Sequence, residues 1–362
     1  MQNIAIDNKI CVFLNHHKLI QDLYQQHSES NLESYSLKQQ LFNFKPKPVA
    51  FALETSLSSK QIKNLNRKRK AETENDATLK EIFKLQPFLK EIQNNFLPPQ
   101  ENCEDLPRLW EEQQEFPQFR GANATNEFQI TQFDKKDYII PPKTKFLNYN
   151  IEDLPKLLLE LETYDLITMD MPWQNKYIKR LKKVNTSLAY QMLDNDTLKK
   201  MPIPQLIHTN TLVVLWCTNA LQHRQALEQE FLPYWNLQLV HTLKWFKINT
   251  AGELISPPKP EGFKQPYELV YIACHKDRDL LELKELTMVD FLISIPSIIH
   301  SHKPPLVEWL KKFLPSSENF KGLEIFARYL QPQFTSIGLE VLKLMDKRLY
   351  EAEGGVEMVK EN

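Results

Sequence analysis

At 362 residues, 42% of them hydrophobic, the chain is long enough for one large α/β domain with an appendage, or for two domains, and the composition excludes intrinsic disorder. Lys and Arg (45) almost balance Asp and Glu (46), so a nucleic-acid partner has to be held by a local patch rather than by an overall field. Cys11, Cys103, Cys217 and Cys274 lack CxxC spacing, and neither a signal-peptide pattern nor a membrane-length apolar run occurs; the expectation is a soluble intracellular protein whose Asn123-Ala124-Thr125 sequon is a chance match.

The first part of the chain is polar, with "QDLYQQHSESNLESYS" at 21–36 and a helical pattern, "LKEIFKLQPFLKEI", at 79–92. Residues 1–135 read as a smaller, mainly helical region with flexible segments, and 351–362 as a tail. "NRKRK" at 66–70 is a basic cluster that suits a nuclear address, a phosphate-binding arm or a solvated loop.

From about residue 136 strands and helices alternate. "IEDLPKLLLELETY" (151–164) predicts a helix, "DLITM" a buried strand, "TLVVLW" (211–216) another, and "NALQHRQALEQEFL" (219–232) a helix. "LQLVHTLKWFKI", "ELVYIACH" and "FLISI" supply further strands, "PPLVEWLKKFL" (304–314) a helix opened by proline, and "LEIFA" (323–327) a late strand. This order is that of a doubly wound, mainly parallel sheet, whose ligands sit beyond the carboxyl ends of the strands.

Only seven glycines occur, and none forms a G-x-G-x-x-G turn or a G-x-x-x-x-G-K loop, which argues against dinucleotide and nucleoside-triphosphate sites. His300 and His302 have no Cys, Asp or Glu at metal-ligand spacing, so no metal is expected.

"DLITMDMPWQNKYIKR" (165–180) carries the chemistry. Asp170 ends an apolar strand at the mouth of the sheet, where an ionised carboxylate accepts from a donor such as an amine N–H. Pro172 biases Met171 toward extended geometry, which aims the Met171 carbonyl at the same donor. Trp173 offers a flat face for a stacked base, worth about 1–3 kcal/mol. Asn175, Lys176, Lys179 and Arg180 follow as phosphate or ribose contacts. The bland reading makes Asp170 a helix cap and Trp173 core, and the residues alone leave both open.

"DMPW" after a hydrophobic strand resembles the D-P-P-W motif of the adenine-N6 methyltransferases related to the catalytic subunit of the mRNA N6-methyladenosine writer. "LWCTNALQH", "LKWFKI", "IHSHKPPLVEWLKKFL" and "GLEIFARYLQPQFTSIGLEVLKL" look like the rest of that family's domain in the same order, over about residues 136 to 345, with a weaker echo in "FKPKPVAFAL" at 44–53. The resemblance implies a Rossmann-like class I methyltransferase domain over 136–350 with permuted motif order, S-adenosylmethionine as methyl donor and the exocyclic amine of adenine as acceptor. It favours RNA, most of all the internal 2'-O-methyladenosine of U2 small nuclear RNA in the nucleus; DNA adenine and a catalytically silent nucleic-acid-binding paralogue are the alternatives. By motif position, Asp170, Met171, Pro172 and Trp173 form the catalytic motif. Asn150 and Ile151 would meet the cofactor's adenine, Asp170 would lie between donor and acceptor, and Lys303 would reach the methionine carboxylate. Glu324 would accept from the ribose hydroxyls, with Arg328, Gly338 and Glu340 closing that side. Four residues depart from the family pattern: Met171 replaces a proline, Tyr329 and Leu339 replace asparagines, and Asn150 replaces an aspartate.

Overall fold

The computed structural model describes residues 1–26, 34–45, 77–98, 106–112, 114–173, 193–256 and 265–353. "NRKRK", Cys103, Asn175, Lys176, Lys179, Arg180 and the tail from 354 lie outside the described residues.

The strands, in chain order, are β1 (Gln2–Ile6), β2 (Lys9–Leu14), β3 (Ser34–Leu37), β4 (Phe119–Asn123), β5 (Gln129–Phe133), β6 (Lys136–Ile140), β7 (Thr144–Asn148), β8 (Tyr164–Asp170), β9 (Ile207–Cys217), β10 (Leu237–Lys247), β11 (Tyr267–His275), β12 (Val289–Ser294), β13 (Gly322–Ile325), β14 (Phe334–Gly338) and β15 (Tyr350–Glu353). Eleven of them form one sheet in the order β1-β2-β12-β10-β11-β9-β8-β13-β14-β7-β4. The expected mainly parallel arrangement holds for β2-β12-β10 and for β9-β8-β13-β14-β7. β11 is antiparallel to both its neighbours, and β1 and β4 are antiparallel edges. From β8 the chain winds one way through β9 to β12 and then returns to β13 on the other side of β8. The topological switch point, where open α/β sheets bind ligands, is therefore the crevice between β8 and β13.

Both faces of the sheet are buried, which explains the near-continuous apolar runs. Ile167, Met169, Val213, Leu215, Leu323 and Ile325 pack into one cluster. Leu166, Val214, Trp216, Trp245 and Phe334 pack into another, beneath the helices His16–Gln25 and Val307–Leu310. The first of these helices is capped by Asn15, whose Oδ1 accepts from the Lys18 N–H at 3.0 Å. The helix predicted at 219–232 starts at Leu221, passes through a π turn (Leu227–Phe231) and ends at Tyr234. Pro233 has no N–H and would clash with the carbonyl four residues back, and the wider turn accommodates it. The segment 151–160 is three short helical pieces, Ile151–Asp153, Leu154–Leu157 and Leu158–Glu160, instead of one helix.

The division at about residue 135 does not follow the packing. β1 and β2 extend the sheet beyond β12, and β4 forms its opposite edge. The helix expected at 79–92 spans Ala77–Asn95 and buries Leu85, Phe88, Leu89 and Ile92 against Phe13, Phe246 and Phe291. β15 pairs with β3, so the end of the domain is also tied to the first part of the chain. Asn123 is only 1% exposed and donates to the Ile140 and Pro141 carbonyls, which leaves no free amide for a glycan in the folded chain. Among the described residues no helix is long and apolar enough to cross a membrane.

Candidate active site

Alternation along the strands puts Asp170, at the end of β8, on the same face as Trp216 of β9, its partner in register. Because β11 runs antiparallel, its first residues, Tyr267 and Glu268, reach this edge beside the last residues of β10. Lys303 descends onto the same spot from the segment after β12, and Pro304 and Pro305 then hold the chain extended. Ser301, two residues before Lys303, has φ 59°, and Phe326, just past β13, has φ 68°, a left-handed conformation uncommon for an aromatic residue. Backbone strain of this kind clusters where a site must be shaped against local preference.

Lys303 Nζ lies 2.7 Å from Glu268 Oε2 and 3.3 Å from Asp170 Oδ2. Lys247 Nζ donates to the other oxygen of Glu268. Trp216 and Trp245, edge to face at 5.1 Å, floor the group: Lys303 stands 5.4 Å and 5.9 Å from their ring centroids, and Lys247 4.3 Å from that of Trp245. The result is an alternating row of charges, Asp170, Lys303, Glu268, Lys247, in which Lys303 is buried and the others are partly exposed. Burial raises the Asp170 carboxyl, with Lys303 acting against it. Burial would also raise Glu268, but Lys303 and Lys247 together hold it well below the usual carboxylate range. Burial would lower Lys303, and Asp170 and Glu268 hold it above its ordinary value instead.

Behind Asp170 lies a cavity of about 30 Å3, lined by Thr168, Trp216, Lys303, Glu324, Tyr329 and Gln331 among others. It has room for about one or two waters. Glu324, Thr168 and Ser336 form one cross-strand row over β13, β8 and β14. Glu324 Oε2 accepts from Gln331 Nε2 at 2.7 Å, and burial pushes the carboxyl up to about 8 from an ordinary 4.5. Between those values the folded chain keeps a proton that the unfolded chain has released, so this group lowers stability as pH rises through the window. Glu324→Gln is expected to remove that part of the slope, read as the difference in denaturant midpoint between about pH 5 and about pH 8.5. An unchanged slope would mean that Glu324 ionises normally.

The sequence-derived residues fall as follows. Asp170, Lys303 and Glu324 come together at the switch point. Asn150 and Ile151 lie just past β7; Asn150 caps the first turn through the Glu152 N–H, and Ile151 is buried core. Arg328 Nη1 donates to the His300 carbonyl, its Nε lies 3.4 Å from Glu340 Oε2, and Glu340 also pairs with Lys343. Gly338 has a packing reason: a Cβ there would stand 2.8 Å from the Ala327 carbonyl oxygen, so only glycine lets the end of β14 meet the turn after Phe326. The Met171 carbonyl already accepts from the Trp173 N–H at 2.8 Å, which leaves one lone pair for another donor.

Trp173 is a correction. It is 2% exposed, its indole N–H donates to the Trp216 carbonyl at 3.0 Å, and Phe231 and His223 pack against its ring, so it is a structural support under the turn and offers no open face to a base. Glu268, Lys247 and Gln331 were missed. Glu268 and Lys247 sit in strands that the pattern did predict, but nothing local shows that β11 runs against its neighbours. His302 is buried between His16 and Tyr329. No metal-ligand group occurs among the described residues, and Cys11, Cys217 and Cys274 are buried free thiols.

The fold and the position of this site define the class: a Rossmann-like α/β domain of the class I methyltransferase type, with Asp170 following the strand at its switch point. Residues 164–340 match the model of the MT-A70 family. It is 37% identical over 213 residues to the human N(6)-adenine-specific methyltransferase METTL4, covering 57% of this chain and 43% of that protein. It is 31% identical to the Caenorhabditis elegans DNA N6-methyl methyltransferase (61% and 58% covered), and 30% identical to the Pyricularia oryzae N6-methyladenosine RNA methyltransferase MTA1 (59% and 56% covered). The chain thus spans about half the length of these curated relatives.

Proposed function

We propose that the chain is an N6-adenine methyltransferase that uses S-adenosylmethionine and acts on nucleic acid. The observation that carries this reading is the Asp170–Lys303 pair at the β8/β13 switch point, with Met171 and Pro172 immediately after it. The donor set suits that cofactor: a cation for its carboxylate in Lys303, a hydroxyl acceptor in Glu324, and a carboxylate beside its sulfonium in Asp170. When bound, S-adenosylmethionine supplies an electrophilic methyl on a sulfonium.

The residues of the chain do the orienting. Asp170 accepts one N–H of the adenine amine, and the free lone pair of the Met171 carbonyl accepts the other, which draws the nitrogen lone pair toward the donor. Holding the reactants in line accounts for up to roughly 7–11 kcal/mol of the barrier. No strong base is needed, because the proton leaves the nitrogen after transfer with Asp170 as the adjacent acceptor. The target adenine has to be unpaired or extruded for its amine to be reached.

RNA is the favoured substrate, with 2'-O-methyladenosine of U2 small nuclear RNA first. DNA adenine is the alternative, supported by the likeness to a DNA methyltransferase. A catalytically silent nucleic-acid-binding paralogue is the second reading, favoured by Tyr329, buried at 5% exposure, and by Leu339, an apolar residue 45% exposed. The deciding experiment is calorimetric titration with S-adenosylmethionine, then methyl transfer to a 2'-O-methylated adenosine oligonucleotide beside its unmodified RNA and DNA versions. Binding with transfer to one of the three establishes the enzyme and its substrate. Absence of both would select the silent paralogue.

A further inference from the structure

Glu268 has no part in the chemistry just described, yet it is the hub of the charged row. Its position depends on β11 running antiparallel, which delivers the first turn of side chains of that strand to the carboxyl edge. Of the two carboxylates that share Lys303, Glu268 holds the shorter contact, 2.7 Å against 3.3 Å for Asp170. Its other oxygen is taken by Lys247, so Glu268 is anchored from behind while it holds Lys303 in front. An ammonium that close to Asp170 occupies the kind of contact a substrate amine needs, and a stronger Lys303–Asp170 bond would compete with the substrate.

We propose that Glu268, backed by Lys247, is a positioning residue: it draws Lys303 away from Asp170 so that the Asp170 carboxylate stays available to the target amine. This rests on the function proposed above. Among the described residues the charged or titratable groups that bear on Asp170 are Lys303 from the segment after β12, Glu268 on β11, Lys247 on β10, Glu324 on β13, Arg328 beyond β13 and Cys217 on β9. Burial raises Asp170, Lys303 lowers it, and the Glu268 charge raises it further. With Glu268 neutral that repulsion disappears and Lys303 turns wholly to Asp170. Both changes move the Asp170 titration to lower pH.

The test is Glu268→Gln in the full chain, read in two ways. In methyl-transfer assays on the oligonucleotide that the unaltered protein modifies, kcat is expected to fall about 10²-fold at neutral pH, the cost of a misplaced reacting group. The acid limb of the kcat profile should move to lower pH. The second readout needs no turnover: the Asp170 carboxyl carbon, labelled with carbon-13 and assigned by its absence in Asp170→Asn, should titrate lower by the same amount. Glu268→Asp is expected to keep the original midpoint. A loss of activity with neither the limb nor the midpoint moved is what a merely structural role would give, and it would overturn the proposal. If Glu268→Gln does not fold, Lys247→Met decides: with its anchor gone Glu268 loses its hold on Lys303, which turns to Asp170, so the Asp170 midpoint should fall although a nearby cation has been removed, and an unmoved or raised midpoint would overturn the proposal. Should the unaltered protein methylate none of the oligonucleotides, the functional reading fails by itself, while the carbon-13 titration still decides how Glu268 and Asp170 divide Lys303.

Discussion

Replacing Asp170 by Asn is expected to reduce methyl transfer about 10²–10³-fold, the range found when one preorganised polar contact to a reacting group is removed. Asparagine keeps the shape of the side chain but turns one of its two acceptor oxygens into a donor, which faces the amine N–H with another N–H. The fold should persist, because Lys303 keeps its shorter contact to Glu268 at 2.7 Å. Affinity for S-adenosylhomocysteine, measured by calorimetry, should change only a few-fold, since the residues assigned to the carboxylate and ribose are untouched. The effect then appears in kcat and in kcat/KM equally, the signature of a contact made in the transition state. A variant that transfers methyl at the original rate would remove Asp170 from the mechanism.

Lys303→Met is expected to be the most destabilising single change at this edge, by about 3–5 kcal/mol in denaturant unfolding, because it strands the Asp170 carboxylate and leaves Glu268 with Lys247 alone. Lys303 is only 10% exposed at its side chain, against 28% for Asp170 and 33% for Glu268, so solvent does not readily replace the ammonium. The deficit should depend on pH with a definite sign. Without the cation the folded-state titrations of Asp170 and Glu268 move up, so the folded chain holds protons that the unfolded chain gives up. The loss of stability is then full at neutral pH and shrinks as pH falls through the carboxylate range. A deficit below about 1 kcal/mol, or one that does not vary with pH, would mean that the row is solvated and that Lys303 contributes no more than a surface pair.

The position of Asp170 was legible in the sequence because an apolar run that ends in one acid has a single low-cost arrangement: the run is buried as a strand and the acid sits at the strand's mouth. Apolar pattern also read β9 to β12 and the strand in "LEIFA", whereas Glu324 within that strand was assigned by the resemblance. Lys303 was reached by resemblance rather than by pattern, since a lysine before two prolines is otherwise an unremarkable loop residue. The short strands β1, β2 and β14 were not read, because runs of four to six residues such as "KICVFL" do not separate strand from buried helix by periodicity alone.

Local pattern therefore determined the kind of the strands from β8 to β13 and the acid at the end of β8, since apolar spacing acts within a few residues. Only the tertiary structure decided the direction of β11, which strands lie beside β8, and whether Trp173 faces a ligand or the core. Strand direction and neighbour are chosen by contacts between residues far apart in the chain, and those contacts put Glu268 against Lys303, 35 residues later. Trp173 is settled in the same way: its indole N–H needs an acceptor once the ring is buried, and the Trp216 carbonyl, 43 residues on, supplies it.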